Sequence, residues 1–439
     1  MNLRKDRRLR RQVFDAVRAY FDFRHSTRTF IPGSTYVPAS GKIFDAQDMI
    51  ALADAGLDFW LTADRYADLL ERRLARRVEA HRVLLVNSGS SANLLAVSAL
   101  TDAALGPRRL KPGDEVVTTA ACFPTTVAPI VQQQLIPVLV DAEAPTYNAT
   151  PQAIEAALSK KTKAIILAHT LGNPFDAGAM AKLAARRGLW LIEDCCDALG
   201  ARWAGRPVSS FGDIATFSFY PAHHITMGEG GAVASRDARL ARILESLRDW
   251  GRDCWCKPGA DNTCRRRFSW KMGQLPLGYD HKYIYTRLGF NLKVTEMQAA
   301  IGTAQLDKLD SFLQMRARNF KALRRELAAF EEYLILPESL PQAEPSWFGL
   351  PLSVRPGAPF TRQDLTSFLE EHRIGTRLLF AGNVIRQPCF KGVRFRQVGD
   401  LAGCDRIMRD TFWVGAHPAI TPAMRAYMVE QFAAFFKRL

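Results

Sequence analysis

Four short stretches hold the residues best suited to chemistry. The first runs from Phe217 to Val233, FSFYPAHHITMGEGGAV. An apolar run leads into a proline and two adjacent histidines; Gly228, Gly230 and Gly231 follow, then a second apolar run. This pattern predicts a strand, a turn carrying polar side chains, and a glycine-dependent reversal into another strand. Imidazole exchanges a proton near neutral pH, so His223 in that turn is the residue around which a reaction would be built. The second stretch is Leu191-Ile192-Glu193-Asp194, at the carboxyl end of a predicted strand. Ligands sit at that end in open α/β sheets, and a carboxylate there can keep a heterocyclic nitrogen protonated, although Asp194 also suits a turn cap. The third is Asn87-Ser88-Gly89-Ser90-Ser91-Ala92, where small residues between a strand and a helix allow backbone N–H groups to approach an anion.

The fourth is a group of thiols. Cys254, Cys256 and Cys264 fall within eleven residues, spaced C-x-C-x7-C, and Cys196 stands 57 intervening residues upstream, just past Asp194. Four thiolates suit either zinc or an iron–sulfur cluster, and the spacing lacks the paired C-x2–4-C of common structural zinc sites. The other isolated cysteines, Cys122, Cys389 and Cys404, read as core residues.

These residues need a scaffold. Apolar runs at Val83–Val86, Glu115–Thr119, Ile136–Val140, Ala164–His169, Leu189–Glu193, Ile214–Phe219 and Ala232–Ala234 alternate with helical stretches such as Ala92–Ala104 and Gln152–Leu158. Near-continuous Val/Ile/Leu runs separated by helices predict a mostly parallel sheet covered on both faces. Thr150 and Pro151 form a helix start, and Thr295-x-x-Gln298 a capping box that opens one long helix over residues 292–330. The remainder reads as a smaller α+β domain. Residues 1–35 form an N-terminal arm with a short amphipathic helix, its arginines on the wet face.

Composition narrows the class further. The 439 residues carry 59 Lys+Arg against 44 Asp+Glu, a net charge of +15 that invites a phosphate- or carboxylate-rich ligand. The basic residues are dispersed apart from residues 1–11 and Arg265–Arg267, and no nucleic-acid motif accompanies them, so nucleic acid is not expected as a partner. No run is long and apolar enough to span a membrane, and no secretory signal is recognisable; a cytoplasmic protein without disulfides is expected.

Taken together, NSGSSA, FPTTVAPI, LIEDCCDALG, FSFYPAHHITMGEGGAV and GFNLKVTEMQAAIG resemble the DegT/DnrJ/EryC1/StrS sugar aminotransferase family over nearly all the chain beyond the arm. The resemblance implies an α/β, pyridoxal-phosphate (PLP) fold type I architecture with a mostly parallel seven-stranded sheet. A large domain would span residues 36–294, including an iron–sulfur loop at 250–270, and a small α+β domain residues 295–439. The family's cofactor-binding lysine falls at His223, and histidine has no primary amine with which to capture an aldehyde. One subgroup combines this exchange with C-x57-C-x-C-x7-C and is similar to CDP-4-keto-6-deoxyglucose-3-dehydrase.

That subgroup implies a pyridoxamine 5′-phosphate (or PLP) enzyme of 3,6-dideoxysugar biosynthesis, such as for the lipopolysaccharide O-antigen. It would remove the C3 hydroxyl of a nucleotide-linked 4-keto-6-deoxy sugar, CDP- or dTDP-linked. Cys196, Cys254, Cys256 and Cys264 would hold a 2Fe–2S cluster supplied by an NADH-dependent flavin and iron–sulfur reductase, with Arg265–Arg267 a candidate docking face. By position, Asp194 would pair with the pyridine nitrogen and Phe123 stack on the ring. Gly89, Ser90 and Ser218 would hold the phosphate, with Asn291 from the second subunit of a homodimer. Tyr220 would handle protons beside His223. The family commonly places His or Gln where this chain has Asp197. Alternatives are a 3-dehydrase without the cluster, a lysine-independent aminotransferase, and a basic binding module on an inactive scaffold.

Overall fold

The computed structural model describes residues 3–25, 29–41 and 43–439. All seven predicted runs are strands of one sheet. In spatial order these are Arg82–Val86, Gly231–Ser235, Ile214–Ser218, Trp190–Asp194, Thr162–Ala168, Glu115–Thr119 and Ile136–Val140. An eighth strand, the two-residue Arg396–Gln397, joins beside Ile136–Val140, so the expected seven-stranded sheet has eight. A two-residue pairing made by distant chain has no apolar run to announce it. Gly231–Ser235 alone runs against the direction of the other seven strands.

Successive side chains along these strands enter different cores. Val117, Ile165 and Leu191 belong to one apolar cluster, while Val116, Ile166 and Ile192 belong to another. Each is essentially buried, and full burial of such a side chain contributes roughly 1.5–3 kcal/mol. This explains the unbroken apolar runs, because neither face of the sheet meets water.

A second, four-stranded antiparallel sheet is built from Leu334–Ile335, Gly349–Val354, Thr411–Gly415 and Thr376–Leu378. Its core includes Leu350, Leu352, Phe412 and Val414, packed with Leu323 and Phe432 from the helices Leu309–Leu327 and Pro422–Phe436.

Helix boundaries follow the capping chemistry. Thr150 accepts from the Ala153 N–H ahead of Pro151, and Thr295 with Gln298 closes a full capping box. The single long helix expected over 292–330 is two, Glu296–Leu306 and Leu309–Leu327. The interruption falls where Lys308 reaches Asp45 at 2.7 Å and Asp48, contacts from distant chain that periodicity cannot register. The N-terminal helix is longer than expected, Leu3–His25, with no buried residue; Arg10 ties it to Asp54 (2.7 Å) on the helix Ala46–Asp58. No helix among the described residues is long and apolar enough to cross a membrane.

Candidate active site

The carboxyl ends of Trp190–Asp194 and Ile214–Ser218 open into a cavity of about 590 Å³. Asp194, Gly89, Ser90, Ser218, Phe123, Tyr220, His223 and Cys196 all line it, so eight residues named from the sequence converge there. Asn291 does not. It bridges Asp249 and accepts from Lys293 Nζ at 3.1 Å.

One end of the cavity has the form of an anion cradle. Ser88 caps the helix Gly89–Leu100 by accepting from the Ser91 N–H at 3.0 Å, leaving the first N–H groups of the helix without intrahelical partners. Close packing demands glycine here. A Cβ on Gly89 would lie 2.5 Å from the Ser218 Cβ and 3.0 Å from the Cys196 Sγ. One on Gly231 would lie 2.5 Å from the Ser88 carbonyl.

Asp194 is buried and held at three points. Asn93 Nδ2 and Thr126 Oγ1 each donate to its Oδ2 at 2.8 Å, and the Cys196 N–H donates to Oδ1 at 3.2 Å. Thr216 fixes Asn93 in turn, donating to Asn93 Oδ1 at 2.7 Å. Asn93 and Thr126 have no motif of their own in the sequence, although Asn93 sits four residues after Gly89 and therefore on the same helix face. Phe123 and Tyr220 stand half-exposed at the mouth, the Phe123 ring edge-on to Phe380 at 5.7 Å.

The two histidines part company. His224 turns away, its Nε2 donating to the Ser346 carbonyl at 2.8 Å, while His223 faces the cavity. The His223 Nδ1 is buried 3.5 Å from Asp197 Oδ1, which leaves Nε2 for the cavity. Burial, aided by the Arg316 guanidinium, lowers the His223 pKa to about 3, so the ring is neutral at pH 7. Burial, together with the Asp194 charge, raises Asp197 to about 8. Arg316 is itself buried and donates to the carbonyls of Phe348 (3.0 Å) and His223 (3.2 Å), pinning the turn from behind. Burial lowers its pKa to about 10, against the pull of Asp197. An arginine 93 residues from the turn gave no local signal in the sequence.

Thiols form a second centre. Cys254, Cys256 and Cys264 place their sulfurs within 4.8 Å of one another, whereas Cys196 lies outside this group, on the cavity wall. Burial opposes ionisation of Cys256, but hydrogen bonds from Thr263, the Cys264 N–H and its thiol neighbours bring it down to about 7, close to the thiolate a metal requires. Cys122 and Cys404 are core residues as expected, but Cys389 is exposed, in the short turn Pro388–Phe390 where its side chain has no core to enter. Arg265 and Arg266 are exposed, while Arg267 pairs with Asp280 at 2.9 Å. In the segment Tyr36–Lys42, Ser40 reaches the cavity; Lys42 lies outside the described residues.

A parallel sheet whose carboxyl ends present an anion cradle, a fixed carboxylate and an aromatic wall has the architecture of PLP fold type I enzymes. The model of the DegT/DnrJ/EryC1/StrS aminotransferase family matches residues 44–433, and the chain belongs to that family. It is 51% identical over 428 residues to the lipopolysaccharide biosynthesis protein RfbH of Salmonella typhimurium, covering 98% of each chain. It is 50% identical over 424 residues to the dTDP-4-dehydro-2,6-dideoxy-D-glucose 3-dehydratase of Saccharopolyspora spinosa, covering 97% of this chain and 91% of that one. Among solved structures, Escherichia coli GDP-4-keto-6-deoxy-D-mannose-3-dehydratase with bound hydrated PLP aligns with a TM-score of 0.81 at 25% identity, over 90% of this chain and 99% of that one.

Proposed function

We propose that this protein removes the C3 hydroxyl of a nucleotide-linked 4-keto-6-deoxyhexose, using pyridoxamine phosphate and electrons from a partner reductase. The observation that carries the reading is His223, a neutral imidazole facing the cavity from the turn where the family places its lysine. Two relatives named above as sugar 3-dehydratases support it.

The residues present fit the cofactor. Gly89, Ser90 and Ser218 form a cradle too tight for an added Cβ and suited to a phosphate. Asp194, held by Asn93, Thr126 and the Cys196 N–H, would face the pyridine nitrogen, and Phe123 would cover a ring face. When bound, the cofactor supplies an electron sink conjugated to the sugar carbons. His223 would be the group that accepts and returns a proton, through the Nε2 left facing the cavity. Asp197, 3.5 Å from Nδ1, can ionise as the imidazole gains charge, giving it a nearby counter-ion. That is a role for the residue in place of the family's His or Gln. Tyr220, on the same turn, is the second proton-handling group.

Cys254, Cys256 and Cys264 fit a 2Fe–2S centre by sulfur donor type and convergence, and such a centre supplies one-electron transfer. A flavin and iron–sulfur reductase using NADH is the partner this implies. A homodimer is part of the same proposal. Asn291 is absent from its own chain's cavity, and exposed apolar side chains including Trp250, Phe268, Leu277 and Leu288 crowd the segment leading to it.

The test is anaerobic turnover of CDP-, dTDP- and GDP-linked 4-keto-6-deoxy sugars with NADH and a reductase, read by mass. Loss of one oxygen is the expected outcome. Formation of an amino sugar from glutamate, with the C3 oxygen retained, overturns it.

A further inference from the structure

The cavity is short of positive charge. Asp194, Asp197 and Glu229 line it, while Arg377 is the single Lys or Arg among its described lining residues. The cradle at Gly89, Ser90 and Ser218 carries no cationic side chain, and its N–H groups and hydroxyls serve one phosphate. A nucleotide-linked sugar brings a diphosphate as well, and an anion leaving water beside carboxylates needs a cation to pair with. We propose that Arg377 binds the substrate's diphosphate, the group that CDP-, dTDP- and GDP-linked sugars share. The proposal rests on the nucleotide-linked substrate read above and names the side chain that holds it.

Availability is the first argument. Arg377 is exposed on the strand Thr376–Leu378, at the edge of the second sheet. Its Nη1 donates to the Thr376 carbonyl at 2.6 Å, and no carboxylate among the described residues forms an ion pair with it. Glu370, which shares Tyr36 as a neighbour with Arg377, is engaged by other donors. Its Oε1 accepts from the Thr376 N–H at 2.6 Å and hydroxyl at 3.0 Å, and its Oε2 from the Tyr36 hydroxyl at 3.4 Å. A guanidinium that is steered but not neutralised keeps its charge and its planar fork for a ligand.

Position is the second. Arg377 stands opposite Trp413 in the strand register, so the two side chains share a face, and both line the cavity. From Trp413 the wall continues to Phe348, 5.4 Å away between ring centroids, and from Phe348 to His223 at 5.2 Å. Arg377 and His223 therefore bracket an aromatic wall that one sugar ring can cover, with C3 and C4 toward the imidazole and the C1 phosphate toward the guanidinium. The cofactor's cradle lies elsewhere, at the start of the helix Gly89–Leu100 against Ser218 of the first sheet. The two anion sites thus come from different layers of the molecule.

Calorimetric titration of the full-length, cofactor-loaded protein with CDP, dTDP and GDP tests the assignment without turnover. Arg377→Gln, which keeps donors but no charge, should weaken all three roughly 10- to 100-fold, as loss of a charge-assisted hydrogen bond does. Arg377→Lys should lose less than Arg377→Gln, and PLP affinity should be unaltered in both. Inorganic pyrophosphate should displace the nucleotides from the native protein. In turnover, Arg377→Gln should raise KM more than it lowers kcat. Unchanged nucleotide binding in Arg377→Gln, or a loss confined to one of the three bases, overturns the assignment. A matching fall in PLP affinity does so too, by placing Arg377 on the cofactor, as does a native protein that binds neither nucleotide nor pyrophosphate. An unchanged KM in Arg377→Gln with oxygen still lost removes Arg377 and leaves the deoxygenation reading standing. An amino sugar formed by the native protein, with KM raised in Arg377→Gln, defeats deoxygenation and keeps Arg377 on the diphosphate.

Discussion

Histidine at position 223 decides what the cavity can do, because its neighbours hold it neutral rather than charged. Burial and Arg316 keep the ring deprotonated at pH 7, and Asp197 stands ready to balance a gained proton. Replacing His223 with Asn keeps a polar side chain of similar reach and removes the base. Deoxygenation should fall by roughly 100-fold or more, in the range general-base loss produces, while cofactor retention is unchanged. Unaltered turnover in His223→Asn would take the imidazole out of the mechanism. His223→Lys restores an amine at the same place and should retain PLP as a borohydride-reducible adduct detectable by intact mass.

Among the elements, the contact between the strand Gly231–Ser235 and the start of the helix Gly89–Leu100 sets the anion cradle. A Cβ at Gly231 would press on the Ser88 carbonyl and the Gly89 nitrogen, which are backbone atoms and cannot swing aside. Gly231→Ala should cost about 1–3 kcal/mol and weaken cofactor binding at least ~10-fold, read by thermal melting and cofactor titration. Gly56 supplies the contrast. It lies inside the helix Ala46–Asp58 with open space around it, so Gly56→Ala should stabilise by about 0.4–1 kcal/mol and leave cofactor affinity alone. The capping box at Thr295, the helix start at Thr150 and the strand–turn–strand of the His223 stretch were legible in sequence because they are local. The split at Lys308 and the strand Arg396–Gln397 were not, because distant chain makes both.

For the whole molecule, pH-dependent stability follows from histidines buried in neutral form. Burial lowers His417 to about 4 and His224 well below its ordinary value, and His223 to about 3. A depressed histidine pKa means the unfolded chain gains its proton first. The stability it contributes is therefore full above about pH 6.5 and lost as pH falls through the folded value. Asp197, raised to about 8, acts oppositely, adding stability as pH falls from 8 toward 4. His417→Asn should lose less stability than the native chain between pH 7 and 4.5, by up to about 2–3 kcal/mol in denaturant midpoints at the two pH values. Equal losses would mean that His417 is charged in the folded state. Metal removal gives a second prediction at this scale. The three thiols and the cavity share no residue among those described, so anaerobic chelation should abolish reductive turnover yet leave PLP binding within about 2-fold, by absorbance titration.

The chain by itself determined the parallel sheet, the family, and eight of the residues that line the cavity. Apolar runs, glycine positions and the missing lysine are properties of consecutive residues. Tertiary structure alone decided which of two adjacent histidines faces the cavity, what holds Asp194, and where Arg316 and Asp197 stand. It also brought His281 against Cys264 and put Cys196 on the cavity wall. Each of these depends on groups far apart in sequence meeting where little water reaches. There a charge or a lone pair takes its character from its neighbours rather than from its own residue type.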